Sequence, residues 1–145
     1  MTLKLAAAGR QSDYQMELGR FLAVMMASPS HSRMAVEYFK MIVEPAIRHQ
    51  QYKMVFDERG NPLAYVIWAA LADDTHGRAV AGEPWSLHIS EWNEGPNLWI
   101  VDFVAPAGYA RSVIGFLKKE MDLGPVDVCY RRVRNGRLIA KMLEI

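Results

Sequence analysis

The sequence predicts one α+β domain: a mixed central β-sheet with helices packed on it. Two apolar stripes at helical spacing come first, and the pattern then switches to strand-like runs. A third helical stripe divides those runs, so the element order is near ααβββαββ. A length of 145 residues suits one domain rather than two, here residues 1–145 with 1–11 as a frayed N-terminus.

The elements follow in chain order. Met1 to Arg10 carries Lys4 and several alanines, but its apolar stretch is too short for a secretion signal and lacks a cleavage site. Tyr14, Leu18, Phe21, Leu22, Met25 and Met26 form one face of a helix that Ser12 or Asp13 could cap. Ser28-Pro29-Ser30 ends it, because proline disfavours helical geometry in the residue before it. Ala35, Tyr38, Phe39, Ile42 and Ala46 share a face of a second helix, which Pro45 either kinks or restarts. Residues 52–57 and 63–71 read as a hairpin around Glu58-Arg59-Gly60-Asn61-Pro62. Its second run is apolar without alternation, as in a strand covered on both faces. Residues 73–83 are a short helix or an irregular excursion. Residues 98–104 form a strand ended by Ala105-Pro106. Tyr109, Val113, Phe116, Leu117 and Met121 give the third helix, and residues 126–134 and 138–143 close the chain around an Asn135-Gly136 turn.

Composition narrows the function. Hydrophobic residues at 51% and charged residues at 23% exclude a disordered or fibrous chain. The lone Cys129 excludes an internal disulfide framework and a multi-thiolate zinc site, and it suits a reducing, cytoplasmic setting. No apolar run approaches the ~18 residues of a membrane span. A net charge of +1 gives no global pull on nucleic acid, and the four tryptophans lack the interleaved basic residues of a base-stacking platform. The charge is nevertheless uneven. Residues 106–145 hold eight Lys/Arg against four acids, a net +4 that leaves −3 on the first 105. That tail is either a solvated face or a docking patch for an acidic partner. Strand alternation puts Arg132 and Arg134 on one face and Arg131 on the other, so the candidate patch is Arg132 and Arg134 with Arg111 or Lys118 from the preceding helix.

Four histidines are the first place to look for chemistry. His49 ends the second helix, where a cation suits the helix dipole, and reads as structural. His76 and His88 fall in the irregular middle and are expected to face solvent. None has a partner at metal-ligand spacing. His31 differs, standing in Ser28-Pro29-Ser30-His31-Ser32-Arg33 just before the second helix. The positive end of a helix disfavours imidazolium, and a neutral imidazole can act as a base; the alternative is a histidine in a polar capping loop. Asp102 stands alone among apolar side chains in Leu98-Trp99-Ile100-Val101-Asp102-Phe103-Val104. Alternation groups it with Leu98, Ile100 and Val104. A carboxylate there costs several kcal/mol unless backbone N–H groups, an imidazole or a guanidinium satisfies it. Cys129 reads as a small core residue, and there is neither a nucleophile elbow nor a glycine-rich phosphate loop, including one for coenzyme A.

Three separated segments together resemble a known family. They are Ala27-Ser28-Pro29-Ser30-His31 after a helix, Pro45-Ala46-Ile47-Arg48-His49-Gln50-Gln51-Tyr52 leading to Pro62-Leu63-Ala64-Tyr65-Val66-Ile67-Trp68-Ala69, and Glu91-Trp92-Asn93-Glu94-Gly95 followed by Trp99-Ile100-Val101-Asp102-Phe103-Val104-Ala105-Pro106-Ala107-Gly108. In this order they resemble the toxin-activating lysine acyltransferases that activate RTX haemolysins, from about Leu18 to about Arg137. The resemblance implies a GNAT-like acyltransferase fold. It also implies transfer of a fatty acyl group from acyl carrier protein to internal lysines of an RTX-type protoxin, in the bacterial cytoplasm. The family's catalytic histidine falls on His31, its catalytic aspartate on Asp102, and a serine that matters near the histidine on Ser28. A carrier-protein donor would account for the missing coenzyme A loop. Ala107 stands where the family usually has an aromatic, and members commonly carry a further C-terminal segment beyond the last strand.

The expected chemistry is amide formation on a lysine side chain. His31 would take the amine's proton as general base, Asp102 would orient and stabilise the imidazolium, and Ser28 would position His31 or donate to the developing oxyanion. No cofactor is expected beyond the acyl carrier protein co-substrate, and no metal. The alternatives are a coenzyme A-dependent GNAT-type N-acetyltransferase and a non-catalytic module that binds acyl chains or carrier protein. Apolar strands near the C-terminus, together with the resemblance, predict a homodimer.

Overall fold

The computed structural model describes residues 2–5, 14–121, 125–135 and 137–144. A six-stranded sheet runs through it in the order β1-β2-β3-β4-β5-β6. The strands are β1 (Lys4–Leu5), β2 (Tyr52–Phe56), β3 (Pro62–Leu71), β4 (Asn97–Val104), β5 (Asp127–Arg134) and β6 (Arg137–Glu144). All neighbours are antiparallel except β4 and β5. The helix α5 (Ala110–Met121) makes the crossover that this parallel pair requires.

Helices cover both faces of the sheet. On one face α1 (Tyr14–Met26), α3 (Glu44–His49) and α4 (Asp73–Val80) pack over Met54, Phe56, Tyr65, Ile67, Ala69, Leu71 and Trp99. On the other, Val113, Phe116 and Leu117 of α5 meet Val55, Ala64, Val66, Ile100 and Phe103. β3 is therefore buried on both faces, as its unbroken apolar run requires. The hairpin before it is tied by Asp57, whose carboxylate accepts the N–H groups of Arg59 and Asn61, both at 2.9 Å. Gly60 takes the left-handed conformation of that turn, at φ 82°. Among the described residues, no helix is long and apolar enough to cross a membrane.

Several expectations change here. Lys4 and Leu5 do not fray; they pair with Phe56 and Val55 as an edge strand. Residues 6–11, with the proposed caps Ser12 and Asp13, lie outside the described residues. Helix α1 is rotated from its apolar stripe. Its buried positions are Glu17, Phe21, Val24 and Met25, while Tyr14, Leu22 and Met26 are exposed. Glu17 tolerates burial because Arg20 pairs with it and the Tyr52 hydroxyl donates to it at 2.7 Å. The second helix begins as α2 (Val36–Tyr38), widens into a π-helical turn over Phe39–Val43, and resumes as α3. Glu44 N–H reaches back five residues to Phe39 O. Pro45 has no N–H to donate to Met41 O, which is why the helix widens just before it. Residues 73–80 of the ambiguous stretch are helical as α4, and a short 3-10 helix (Ile89–Trp92) follows.

Candidate active site

Helix α1 ends at Met26, and a run of turns carries residues 27–33 back across the sheet. Ser28 builds this turn. Its carbonyl accepts the Ser32 N–H at 2.9 Å, and its hydroxyl accepts the His31 N–H at 3.4 Å. His31 lies five positions before Val36, outside the first helical turn where a dipole acts. Hydrogen bonds hold its ring instead. Nε2 stands 2.8 Å from Asp102 Oδ2, across 71 positions of chain. The hydroxyl of Ser30 lies 2.9 Å from Nδ1 and that of Ser28 lies 3.4 Å from it.

Asp102 reaches this point through a β-bulge. Ile67 of β3 pairs with Asp102, but Trp68 pairs with Ile100, so Val101 has no opposite residue. The bulge breaks simple alternation. Ile100 turns toward α5 with Phe103, whereas Trp99, Val101 and Val104 face the cluster under α1. The grouping of Asp102 with Ile100 read from the sequence is therefore wrong. Asp102 shares its face with Ile67, directly opposite, and with Tyr65 two positions along β3.

Three donors satisfy the carboxylate. Phe103 N–H donates to Oδ1 at 2.8 Å. His31 Nε2–H and the Tyr38 hydroxyl both donate to Oδ2, and the Tyr38 oxygen sits 2.8 Å from that of Tyr65. Burial, with the charge of Asp102 adding to it, pushes both phenols well above the ordinary tyrosine range, so they stay protonated. The His31 ring stands edge-on to both, with centroids 5.8 Å from Tyr38 and 6.5 Å from Tyr65. The side chains of His31 and Asp102 are only 11% and 20% exposed. A carboxylate accepts and does not donate, so Nε2 carries the ring's proton and the lone pair of the neutral imidazole lies at Nδ1, facing the serines. The arrangement offers an oriented base.

The structure thus brings His31, Asp102 and Ser28 together. Tyr38, Tyr65 and Ser30 join them, and none of these three stands out in the sequence as a site residue. The two tyrosines sit in apolar patterns that read as core, and only their hydroxyls belong to the site. Arg132, Arg134, Arg111 and Lys118 lie elsewhere. All four are exposed and none is ion-paired among the described residues. Arg132 and Arg134 share the sheet face covered by α5, while Arg131 on the opposite face stacks its guanidinium 3.9 Å from the Trp85 ring centroid.

The other histidines have structural partners. His49 Nε2 lies 2.7 Å from Ile89 O, and the exposed His88 caps the 3-10 helix in a capping box with Glu91. His76 is not turned to solvent as expected. Its Nδ1 accepts the indole N–H of Trp99 at 3.0 Å, which fixes the largest side chain in β4. Cys129 packs against the core, and burial raises its thiol pKa. A groove of about 350 Å³ lies between Tyr14, Leu18, Gly19 and Leu22 of α1 and Val36, Phe39, Lys40 and Glu44. His31 and Asp102 do not line it.

Over 93% of the chain and 68% of its counterpart, the fold superposes on the GphF GNAT-like decarboxylase in complex with isobutyryl-CoA, with a TM-score of 0.56 at 14% identity; the fold is GNAT-like. The chain is 37% identical over 91 residues to the RTX-II toxin-activating lysine-acyltransferase of Actinobacillus pleuropneumoniae, covering 63% of this chain and 56% of that protein. It is 33% identical over 117 residues to the leukotoxin-activating lysine-acyltransferase LktC serotype A11 of Mannheimia haemolytica, covering 81% of this chain and 66% of that one. The chain therefore spans less than two thirds of the length of these relatives. Residues 10–141 match the family described as RTX toxin acyltransferases. The chain belongs to the RTX toxin acyltransferase family.

Proposed function

We propose that this chain is a protein-lysine fatty acyltransferase that moves an acyl group from acyl carrier protein to internal lysines of an RTX-type protoxin. The observation that supports it most is the contact between His31 and Asp102 at 2.8 Å, on a GNAT-like fold in a family whose curated relatives are named for lysine acylation. A lysine amine is protonated near neutral pH and must lose that proton to attack. His31 Nδ1 accepts it, and Asp102 holds the ring's orientation and balances the imidazolium that forms. Ser28 positions His31 through the hydrogen bond its hydroxyl accepts from the His31 N–H.

The donor docks through exposed cations. Arg132 and Arg134, with Arg111 or Lys118, supply a positive face suited to an acidic carrier protein. The reaction needs no cofactor beyond that co-substrate, and the unpaired Cys129 suits the cytoplasm. Two copies associate, using the outer strand β6, which presents exposed Leu138, Met142 and Leu143. A concentration series in which only a 16.5 kDa monomer is present would remove that association.

The test is donor competition. The purified chain is mixed with a calcium-repeat protoxin and either a fatty acyl–carrier protein thioester or acetyl-coenzyme A. Amide-linked acyl on internal lysines should come from the carrier protein alone and fall by ~10²–10⁴-fold in His31→Ala. Turnover with acetyl-coenzyme A alone would indicate a small-amine acetyltransferase. Binding without any His31-dependent turnover would indicate a binding module. Reversing Arg132 and Arg134 to Glu should slow donor association and flatten its salt dependence. Unchanged donor affinity at low salt would reduce that patch to solubilising surface.

A further inference from the structure

We propose that Ser30 is a nucleophile that carries the acyl group between donor and acceptor, a deeper step that rests on the acyl-transfer reading above. Two hydroxyls face the lone pair of His31 Nδ1, and they are not equivalent. Ser28 Oγ is the farther, at 3.4 Å; it is half-buried and already accepts the His31 N–H, so it closes the turn. Ser30 Oγ is the nearer, at 2.9 Å, and its side chain is exposed. It is therefore the hydroxyl that has both a base and open access. On its far side the base is fixed by Asp102 at 2.8 Å. A hydroxyl within reach of an imidazole that a carboxylate orients is the arrangement of an activated nucleophile.

The chemistry balances with the two substrates alone. Ser30 Oγ adds to the carbonyl carbon of a fatty acyl thioester, and its proton passes to His31 Nδ1. As the C–S bond breaks, the departing thiolate takes that proton, leaving an ester on Ser30 and a free thiol on the donor. The lysine ammonium gives its proton to His31 Nδ1, which releases it to solvent, and the free amine then attacks the ester carbonyl. An N–C bond forms, the O–C bond to Ser30 breaks, and the amine's proton returns through Nδ1 to Ser30 Oγ. Nothing is oxidised or reduced. Asp102 faces the imidazolium in both halves, which lets one base serve two transfers.

The experiment uses myristoyl–acyl carrier protein thioester, first without acceptor and then with protoxin. Expected without acceptor are a burst of free thiol approaching one per chain and a mass gain of one acyl group mapping to Ser30. Ser30→Ala should lose burst and adduct and slow transfer to protoxin by about 100-fold or more. Ser28→Ala, which loosens the turn that holds His31, should slow the burst while the adduct still maps to Ser30, and Ser30→Cys should restore a burst with a thioester that hydroxylamine cleaves. Ser30 is exposed, so unchanged circular dichroism in each variant separates chemistry from folding. An adduct on another residue, or Ser30→Ala transferring at the wild-type rate, overturns the proposal while leaving acyl transfer standing. Failure of the wild type both to form an adduct and to acylate protoxin overturns the acyl-transfer reading with it.

Discussion

The phenol of Tyr38 donates to the same Asp102 oxygen that receives His31 Nε2–H. Two donors on one oxygen pin the carboxylate from the helix side and the loop side together. The Phe103 N–H, at 2.8 Å on the other oxygen, removes the remaining rotation. The orientation of His31 is thus set by β4, by the turn at Ser28 and by α2 at once.

Removing the base or its orienter should be decisive for rate and mild for fold. His31→Ala leaves Asp102 two donors, so the carboxylate stays satisfied; transfer should fall by ~10²–10⁴-fold with the thermal midpoint little changed. Asp102→Asn can present an N–H to Nε2, which would move the ring's proton to Nδ1 and take the lone pair from the serines. It should lose a comparable factor. Steady-state transfer and thermal melts on both variants check this, and near-wild-type rates in either would sink the mechanism.

Tyr38→Phe separates positioning from packing. The ring stays while one donor to Asp102 is lost and the Tyr65 hydroxyl loses its partner, so stability should drop by about 1–2 kcal/mol. If Tyr38 positions the carboxylate, transfer slows as well, whereas Tyr65→Phe, one bond further out, should slow it less. The double variant should be less damaging than the two losses added, because the hydroxyls are coupled. An unchanged transfer rate in Tyr38→Phe would show that Tyr38 is packing alone, and full additivity would show that the two hydroxyls act independently.

Much of this was legible before any coordinates. His31 and Asp102 could be singled out because a histidine in a serine turn and a carboxylate in an apolar strand are each conspicuous against their surroundings, whereas Ser28 came from the family resemblance alone. Tyr38 and Tyr65 were not, because an aromatic at helical or strand spacing reads as core, and its ring is indeed packed there. A hydroxyl's partner 27 or 64 positions away leaves no local trace. The rotation of α1 was hidden for a similar reason. Burial of Glu17 depends on Tyr52, which no helical stripe can announce.

The same phenols make an alkaline prediction. Folded Tyr38 and Tyr65 keep their protons above the range in which unfolded tyrosines ionise, near pH 10. Below pH ~10 both states hold the protons and this stabilisation is complete. Above it the unfolded chain releases protons that the folded chain retains, so stability falls by up to about 1.4 kcal/mol per pH unit for each phenol. Urea unfolding between about pH 8 and about pH 11 should show the decline, and Tyr38→Phe should flatten it. An equal slope in that variant would contradict the assignment.

Gly95 is predicted to be intolerant of any side chain. Its N–H donates to Ala70 O at 3.2 Å, and a Cβ there would stand 2.5 Å from both N and Cα of Ala72. These are backbone atoms at the end of β3 and cannot turn aside, so Gly95→Ala should cost about 2–3 kcal/mol. Gly19→Ala, inside α1 with open space around the new methyl, should instead stabilise by about 0.5–1 kcal/mol. Denaturant midpoints of the two variants should move in opposite directions.

The extra residue at Val101 makes the placement of the Asp102 carboxylate a matter of odd and even. Three positions separate Trp99 from Asp102, so strict alternation would send the acid through the sheet to the α5 side, and it is the bulge that returns it to the face of His31. A strand of the same length without the bulge would keep every member of the site in its sequence, and a comparison of residue identities would find nothing missing. Loss of the one extra residue would instead restore plain alternation with the carboxylate still on the His31 side. Relatives are therefore best compared by the register of this strand as well as by matching its letters, since a chain can keep the whole inventory of the site and lose its function to a single step.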